Sequence, residues 1–399
     1  MNEVINLLKV GVPRESFPDE NRVAVIPDNV PLYAKAGIKV VIESGAGLNA
    51  GFPDELYRAK GAEIKSSRKE LFAESQVILQ VRGYGANPEK GKDDLEMMHP
   101  DQTLISFFEP LLAKDQVIEF ARRNVNSFAV ELMPRITRAQ SMDALSSMAS
   151  IAGYKAVLLA AERLPKMFPM MMTAAGTISP ARVFIIGAGV AGLQAIASAK
   201  RLGAIVKAYD VRPAVKEQVE SLGGIFVEME IDANESEDKG GYAKEMNEEF
   251  YRKQRELMAR VVAESDVVIT TAAIPGRKSP VLVTAEMVQG MRHGSVIIDL
   301  AAERGGNCEL TKLDQTVVEN GVTILGPGNL PATVPYHSSQ MYSKNILTFM
   351  QHMVKEGQLT FDTSDEIIRE TLMTRGGQVV NKRLREIFGI ESAPERSES

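Results

Sequence analysis

Six consecutive residues carry the strongest chemical signal in this chain: Gly187-Ala188-Gly189-Val190-Ala191-Gly192. They follow a short apolar run, Arg182–Ile186, and open an apolar helical pattern, Val190–Leu202. Strand, glycine turn and helix in that order build a phosphate-binding corner. Gly187 permits the tight turn, Gly189 lets backbone approach a pyrophosphate, and Gly192 lets the helix pack close to the strand. The helix N-terminus adds N–H donors and a favourable dipole. Such a corner calls for an acid closing the second strand about 20 residues on. Asp210 ends the run Ile205–Asp210. Its carboxylate would accept hydrogen bonds from the adenosine ribose and repel a 2′-phosphate, favouring NAD over NADP. Arg212 pulls the other way. The competing reading is a structural turn in a sheet that binds nothing, which leaves the acid unexplained.

Three further segments offer polar groups. Thr270-Thr271-Ala272-Ala273-Ile274-Pro275-Gly276 follows an apolar run, and strand ends of this kind line the ligand crevice of a doubly wound sheet. Thr271, Ala272 and Ile274 either flank a nicotinamide ring or make an ordinary turn. Between Pro134 and Ser146, Arg135 and Arg138 precede a helical pattern that carries Gln140, Asp143 and Ser147 on one face. They offer hydrogen bonds to a nicotinamide carboxamide and ribose; the plainer reading is a solvated, capped helix start. The segment Asp232–Arg260 is dense in mixed charge, and Gly240-Gly241-Tyr242 within it is hinge-like, either a mobile lid or part of a solvated surface.

These groups need a scaffold. Strand-like runs Leu7–Val12, Lys39–Ser44, Val77–Arg82, Thr103–Phe108 and Ser127–Met133 alternate with the polar helical patterns Asp54–Ala59 and Ala113–Arg123. Such alternation predicts a parallel sheet. A helix is predicted from about Ala139 to Leu164, with Thr137–Gln140 as its capping box, roughly 37 Å long and able to bridge two domains. A second block predicts strands at 182–186, 205–210, 225–228, 266–271, 295–300 and 322–325, a six-stranded sheet. The helical pattern Tyr336–Gly357 returns to the first block. The expected fold is α/β: two Rossmann-like doubly wound parallel-sheet domains joined by long helices, with a cleft between them. The expected division is 1–143 with 336–391, then 144–335, with a disordered tail at 392–399.

Composition narrows the function. The chain has 399 residues, 46 Lys+Arg and 52 Asp+Glu, giving a net charge of −6 that offers no electrostatic case for nucleic acid. One cysteine excludes an internal disulfide framework, and four scattered histidines without helical pairing argue against a zinc site. No stretch reads as a signal peptide or a membrane span, so a cytoplasmic chain is expected, reaching a membrane only through partners.

Taken together, Glu131–Asp143 (ELMPRITRAQSMD), Thr173–Gly176, the glycine turn, Gly240–Lys244, Thr271–Gly276 and Gly305–Cys308 resemble the NAD(H)-binding domain of proton-translocating NAD(P) transhydrogenase. The resemblance covers about residues 8–350. The wider family includes alanine dehydrogenase, which shares Gly11–Glu15 and Asn21–Ala24. The resemblance implies Re/Si-specific hydride transfer from NADH bound here to NADP⁺ bound by a partner subunit, coupled to proton movement by membrane-spanning chains. It also implies a homodimer of this subunit at the cytoplasmic side of the inner membrane; Phe168–Met172 is a candidate interface, with core packing as the other reading. By resemblance Arg135 contacts the nicotinamide carboxamide, Gln140 the nicotinamide ribose and the partner nucleotide's domain, and Asp143 and Ser146 the nicotinamide side. Asp210 matches the adenosine-ribose acid, and Tyr242 the tip of a mobile loop. Gly187, Gly189, Val190, Gly192 and Arg212 complete the expected nucleotide contacts, and no metal is expected.

Two departures separate the chain from alanine dehydrogenase. Gln80 stands where that enzyme has a substrate-binding lysine, and Glu109 where it has its catalytic histidine. A soluble alanine dehydrogenase and a non-catalytic NAD(H) sensor are the rival readings.

Overall fold

Apolar runs of four to six residues become strands here because both faces of each sheet are covered. Val77–Arg82 and Arg182–Ile186 take the bounds that the sequence predicts, and all but one end residue of each is buried. The computed structural model describes residues 7–228 and 248–391, and only the backbone of 248–251. The chain divides into two units: residues up to Met148 with those from Ala332 onward, and Ala149–Pro331.

The first unit holds an eight-stranded sheet. Its strands are β1 (Leu8–Val12), β2 (Ile38–Glu43), β3 (Glu63–Lys65), β4 (Val77–Arg82), β5 (Thr103–Phe107), β6 (Asn126–Ala129), β18 (Leu372–Arg375) and β19 (Gln378–Val379). The order is β19-β18-β6-β5-β4-β1-β2-β3. β1 to β6 pair in parallel, in the doubly wound order 3-2-1-4-5-6, and β18 adds antiparallel to β6. Leu71, Phe72, Ile78, Leu104, Phe108 and Phe120 pack its core. The Phe108 and Phe120 rings meet edge to face at 5.3 Å.

The second unit repeats the plan. Its sheet runs β11 (Ile225–Phe226), β10 (Ile205–Tyr209), β9 (Arg182–Ile186), β12 (Val267–Thr270), β13 (Val296–Asp299), β15 (Val322–Leu325), β14 (Thr316–Glu319). All pairs are parallel except β14 with β15. Ala195, Ile196 and Ala199 of the helix Val190–Arg201 pack against Val183, Ile185 and Val206, and Ala156, Val157 and Ala160 of the helix Ala144–Arg163 join the same core. Gly153 makes that second helix's close approach possible, since a Cβ there would lie 2.1 Å from the Ala191 carbonyl oxygen. Among the described residues this helix, Ala144–Arg163, is the one long and apolar enough to cross a membrane by length and composition.

Several boundaries differ from expectation. The long helix begins at Ala144, not Ala139, and Thr137–Met142 forms a 3-10 segment without a side-chain cap. The N-cap of that segment is Ile136 and Thr137 already lies inside it, so the expected capping box does not form; Asp143, at φ −75°, ψ 86°, leaves helical backbone, so Gln140 and Asp143 do not share an α-helical face. The strand expected to reach Met133 stops at Ala129, in a 3-10 turn over Val130–Leu132. The second sheet has seven strands rather than six, β14 being a largely exposed edge. The helix expected to run to Gly357 ends at Met353, where β16 (Val354–Lys355) and β17 (Gln358–Leu359) form a hairpin through Glu356 and Gly357, both at positive φ. A further hairpin, β7 (Met171–Thr173) with β8 (Gly176–Ile178), is exposed throughout. Gly240, Gly241, Tyr242 and the tail 392–399 lie outside the described residues.

Candidate nucleotide-binding site

The glycine turn of the second unit has the form the sequence predicts. Gly187 sits at φ +97°, where a side chain is strained, and its N–H donates to the Tyr209 carbonyl oxygen at 2.8 Å. A Cβ at Gly192 would lie 1.8 Å from the Gly187 carbonyl oxygen, so only glycine lets the helix start here. Gly189 differs in kind. It precedes the first helical residue in extended backbone, and a Cβ there would meet nothing within 4 Å. No side chain caps this helix, and Val190 is 41 % exposed. An open space over an uncapped helix N-terminus fits a pyrophosphate.

Asp210 reaches this turn from the end of β10. Its Oδ2 accepts from the Ala188 N–H at 2.8 Å, which ties the second strand to the glycine turn. Arg212 grips the same carboxylate, with its backbone N–H and Nε each 2.9 Å from Oδ1 and a terminal nitrogen 2.9 Å from Oδ2.

Thr271 closes the turn from β12, donating from Oγ1 to the Gly187 carbonyl at 2.9 Å. Ala272 and Asn307 exchange two hydrogen bonds, and Asn307 also donates to the Pro280 carbonyl at 2.8 Å. The half-buried Ile274 turns through its carbonyl, which accepts from the Arg277 N–H at 3.2 Å. Asn307 is fixed in turn by Asp299, a fully buried acid at the end of β13. Asp299 accepts from Thr270 Oγ1 at 2.8 Å, the N–H groups of Ala301, Asn307 and Cys308 at 3.0, 2.8 and 2.9 Å, and Thr311 Oγ1 at 2.7 Å. Sequence reasoning missed Asp299. Its signal was an acid ending a buried apolar strand, followed by Gly305-Gly306-Asn307.

The remaining expected residues lie in the first unit. Ser141 and Arg138 hold the 3-10 segment: the Ser141 carbonyl accepts from Asn345 Nδ2 at 2.9 Å, and Arg138 pairs with Asp365 at 2.5 Å. Ala139 and Met142 are buried, while Gln140 and Arg135 are exposed. Asp143 is the cap of the following helix, accepting from the Ser146 N–H at 2.9 Å and Ser146 Oγ at 2.5 Å. Glu131, at the head of this segment, accepts from the Phe108 and Glu109 N–H groups at 2.7 and 2.6 Å through Oε1. Its Oε2 is buried without a hydrogen-bond partner. Burial, then the charge of Glu109, pushes its carboxyl up to about 8, so it holds a proton at neutral pH.

Gln80 is 1 % exposed and spends its amide on Asp94 at 2.8 Å, within a network where Arg68 binds both Asp94 and Glu43. That makes it a strut of the sheet. Glu109 follows β5 at φ +52°.

The comparisons agree with this architecture. The N-terminal domain of the family described as alanine dehydrogenase/PNT matches residues 11–152, and its C-terminal domain matches residues 156–382. A Rhodospirillum rubrum protein, named as the first portion of a divided NAD(P) transhydrogenase subunit alpha, is 45% identical over 380 residues, covering 94% of this chain and 99% of its own length. The NAD(P) transhydrogenase subunit alpha of Cereibacter sphaeroides is 44% identical over 93% of this chain and 71% of its own. Alanine dehydrogenase 2 of Staphylococcus aureus is 31% identical over 96% and 97%. Among solved structures, a transhydrogenase from Sinorhizobium meliloti superposes with a TM-score of 0.81 at 40% identity, covering 94% of this chain and 99% of that one. An L-alanine dehydrogenase gives 0.79 at 25%, covering 96% and 99%. The chain therefore belongs to the alanine dehydrogenase/PNT family, and it is more similar to these transhydrogenase α subunits than to these alanine dehydrogenases.

Proposed function

We propose that this chain is the NAD(H)-binding subunit of a proton-translocating NAD(P)⁺ transhydrogenase. Hydride passes between NADH held here and NADP⁺ held by a partner subunit, with proton movement in membrane-spanning chains. The observation that carries the reading is the turn at Gly187–Gly192: open above Gly189, uncapped, and met by the Asp210 carboxylate. The similarity to transhydrogenase α subunits over nearly the whole chain supports it.

The residues suit that chemistry. The dihydronicotinamide supplies the hydride, and no substrate oxygen gains or loses a proton, so no acid or base is required. What the site must do is hold two rings close, aligned and dry. Gly189 and the first-turn N–H groups would hold the pyrophosphate, and Asp210 the adenosine ribose. Thr271, Ala272 and Ile274 would flank the ring, braced by Asn307. Arg135, Gln140, Asp143 and Ser146 would take the nicotinamide carboxamide and ribose, Gln140 also facing the partner. Tyr242, the last of the expected contacts, lies outside the described residues.

The subunit would work as a homodimer, peripheral to the inner membrane on its cytoplasmic side through its partners. The hairpin β7–β8 supports the dimer: Phe168 is buried, but Met170 and Met172 are 59 % and 74 % exposed. Exposed apolar side chains clustered on one hairpin suit an interface rather than core.

The deciding experiment is reduction of an NAD analogue by NADPH, using this chain mixed with a separately prepared NADP-binding subunit. Turnover only in the mixture is expected. Oxidation of L-alanine with NAD by this chain alone would move it to the amino-acid dehydrogenases, and nucleotide binding without turnover in the mixture would make it a sensor.

A further inference from the structure

We propose that Arg212 competes with the nucleotide's ribose for Asp210 and thereby sets which dinucleotide the turn prefers. The inference rests on the reading that this turn holds a nicotinamide dinucleotide.

The Asp210 carboxylate has about four acceptor positions, and donors from the described residues occupy them. Oδ1 takes the Arg212 N–H and Nε, each at 2.9 Å. Oδ2 takes the Ala188 N–H at 2.8 Å and an Arg212 terminal nitrogen at 2.9 Å. The two side chains are 7 % and 18 % exposed, so the pair is largely withdrawn from water. The two backbone donors are fixed by the turn itself. The guanidinium donors are the ones that can leave without unfolding it.

A ribose diol bringing two hydroxyls to Asp210 must therefore displace Arg212. It replaces an ion pair with hydrogen bonds from neutral hydroxyls, and its own contribution is reduced by what Arg212 gives up. A 2′-phosphate meets the opposite situation. An acid already paired with a guanidinium repels it less, and the guanidinium, two residues along the chain, matches phosphate geometry in a two-pronged bond. One side chain thus weakens binding of the unphosphorylated nucleotide and strengthens that of the 2′-phosphorylated one.

The test is fluorescence titration of NADH and NADPH against the full chain and its variants Arg212→Ala, Arg212→Gln and Asp210→Ala. With Arg212→Ala, NADH is expected to bind about three- to tenfold more tightly and NADPH more weakly by a similar factor, from gain or loss of one or two hydrogen bonds. Arg212→Gln removes the charge but keeps most of the side chain, and should move both constants in the same directions; it serves if the alanine variant melts at a lower temperature. Weaker NADH binding in these variants, or equal shifts for both nucleotides, or none, would overturn the proposal while leaving the turn as the nucleotide site. An Asp210→Ala chain that binds NADH unchanged would instead remove Asp210 from ribose binding, and the role of Arg212 with it.

Discussion

Asn307 and Ala272 pair as two backbone units would: the side-chain Nδ2 donates to the Ala272 carbonyl at 2.9 Å, and the Ala272 N–H donates to Oδ1 at 3.0 Å. A fully buried side chain thus stands in for a missing strand beside the turn after β12. Asn307→Asp keeps the shape but removes the donor, stranding the carbonyls of Ala272 and Pro280. Thermal unfolding should show a loss of about 1–3 kcal/mol, with NADH affinity falling as the turn loosens. An unchanged melting temperature would mean that the turn is held by other contacts.

The second and third glycines of the fingerprint should separate folding from binding. Gly189→Ala adds a methyl group into open space, so melting should be unchanged while NADH binds at least about tenfold more weakly, the methyl standing where a pyrophosphate approaches. Gly192→Ala drives the same methyl into the Gly187 carbonyl and should lower the melting temperature. Equal stability loss in both variants would refute the assignment of the open space to a ligand.

Gln140 is exposed on a 3-10 segment whose neighbours are fixed by Asn345 and Asp365. Gln140→Asn shortens the reach by one methylene without disturbing those anchors. If Gln140 orients two rings, hydride transfer should fall about tenfold or more while the NADH dissociation constant changes less. Parallel losses in stopped-flow rate and titration would reduce it to a binding contact.

Glu131 ties stability to pH. Its carboxyl is raised by burial from 4.5 to about 8, so between those values the folded chain holds a proton that the unfolded chain has released. Stability from this group is full below about pH 4.5, declines as pH rises, and is lost above about 8. Glu15, raised to about 8 by burial and by Glu20, acts in the same direction. Glu131→Gln should flatten the fall in melting temperature between pH 5 and pH 9, by about half if the two groups contribute alike. A variant with the wild-type slope would show that Glu131 is ionised in the fold.

Met172→Asp places a charge on the most exposed large apolar side chain of the hairpin β7–β8. Sedimentation should shift from dimer to monomer, with no change in melting of the monomer. A dimer that persists would put the interface elsewhere.

Much of this was legible because the demands were local. A strand buried on both faces must be apolar, which fixed Val77–Arg82 and Arg182–Ile186, and a turn at positive φ must be glycine. The edge strands β3, β14 and β19 gave no such signal: they are short and partly or largely exposed, and too brief to show a pattern. Asp143 fell inside an apparent helical repeat because spacing cannot show that an acid will cap the next turn instead of continuing the last. Asp299 and Asn307 act through bonds that span the sheet, and neither residue type nor spacing reports such a convergence. Gln80 could be read only as a departure from the lysine of alanine dehydrogenase, because its bond to Asp94 could not be seen from the sequence.

The Ser127 and Thr374 hydroxyls hydrogen-bond at a sequence separation of 247 residues, joining β6 to β18. The first unit's sheet is thus completed by strands made long after its opening half. At a synthesis rate of about 5–20 residues per second, β6 waits roughly 12–50 seconds for its neighbour. The second unit, contiguous between Ala149 and Pro331, leaves the ribosome whole in that interval. During that wait the nascent chain carries one finished sheet and one with a bare edge, and that edge is where a chaperone or a misdirected strand would find this protein.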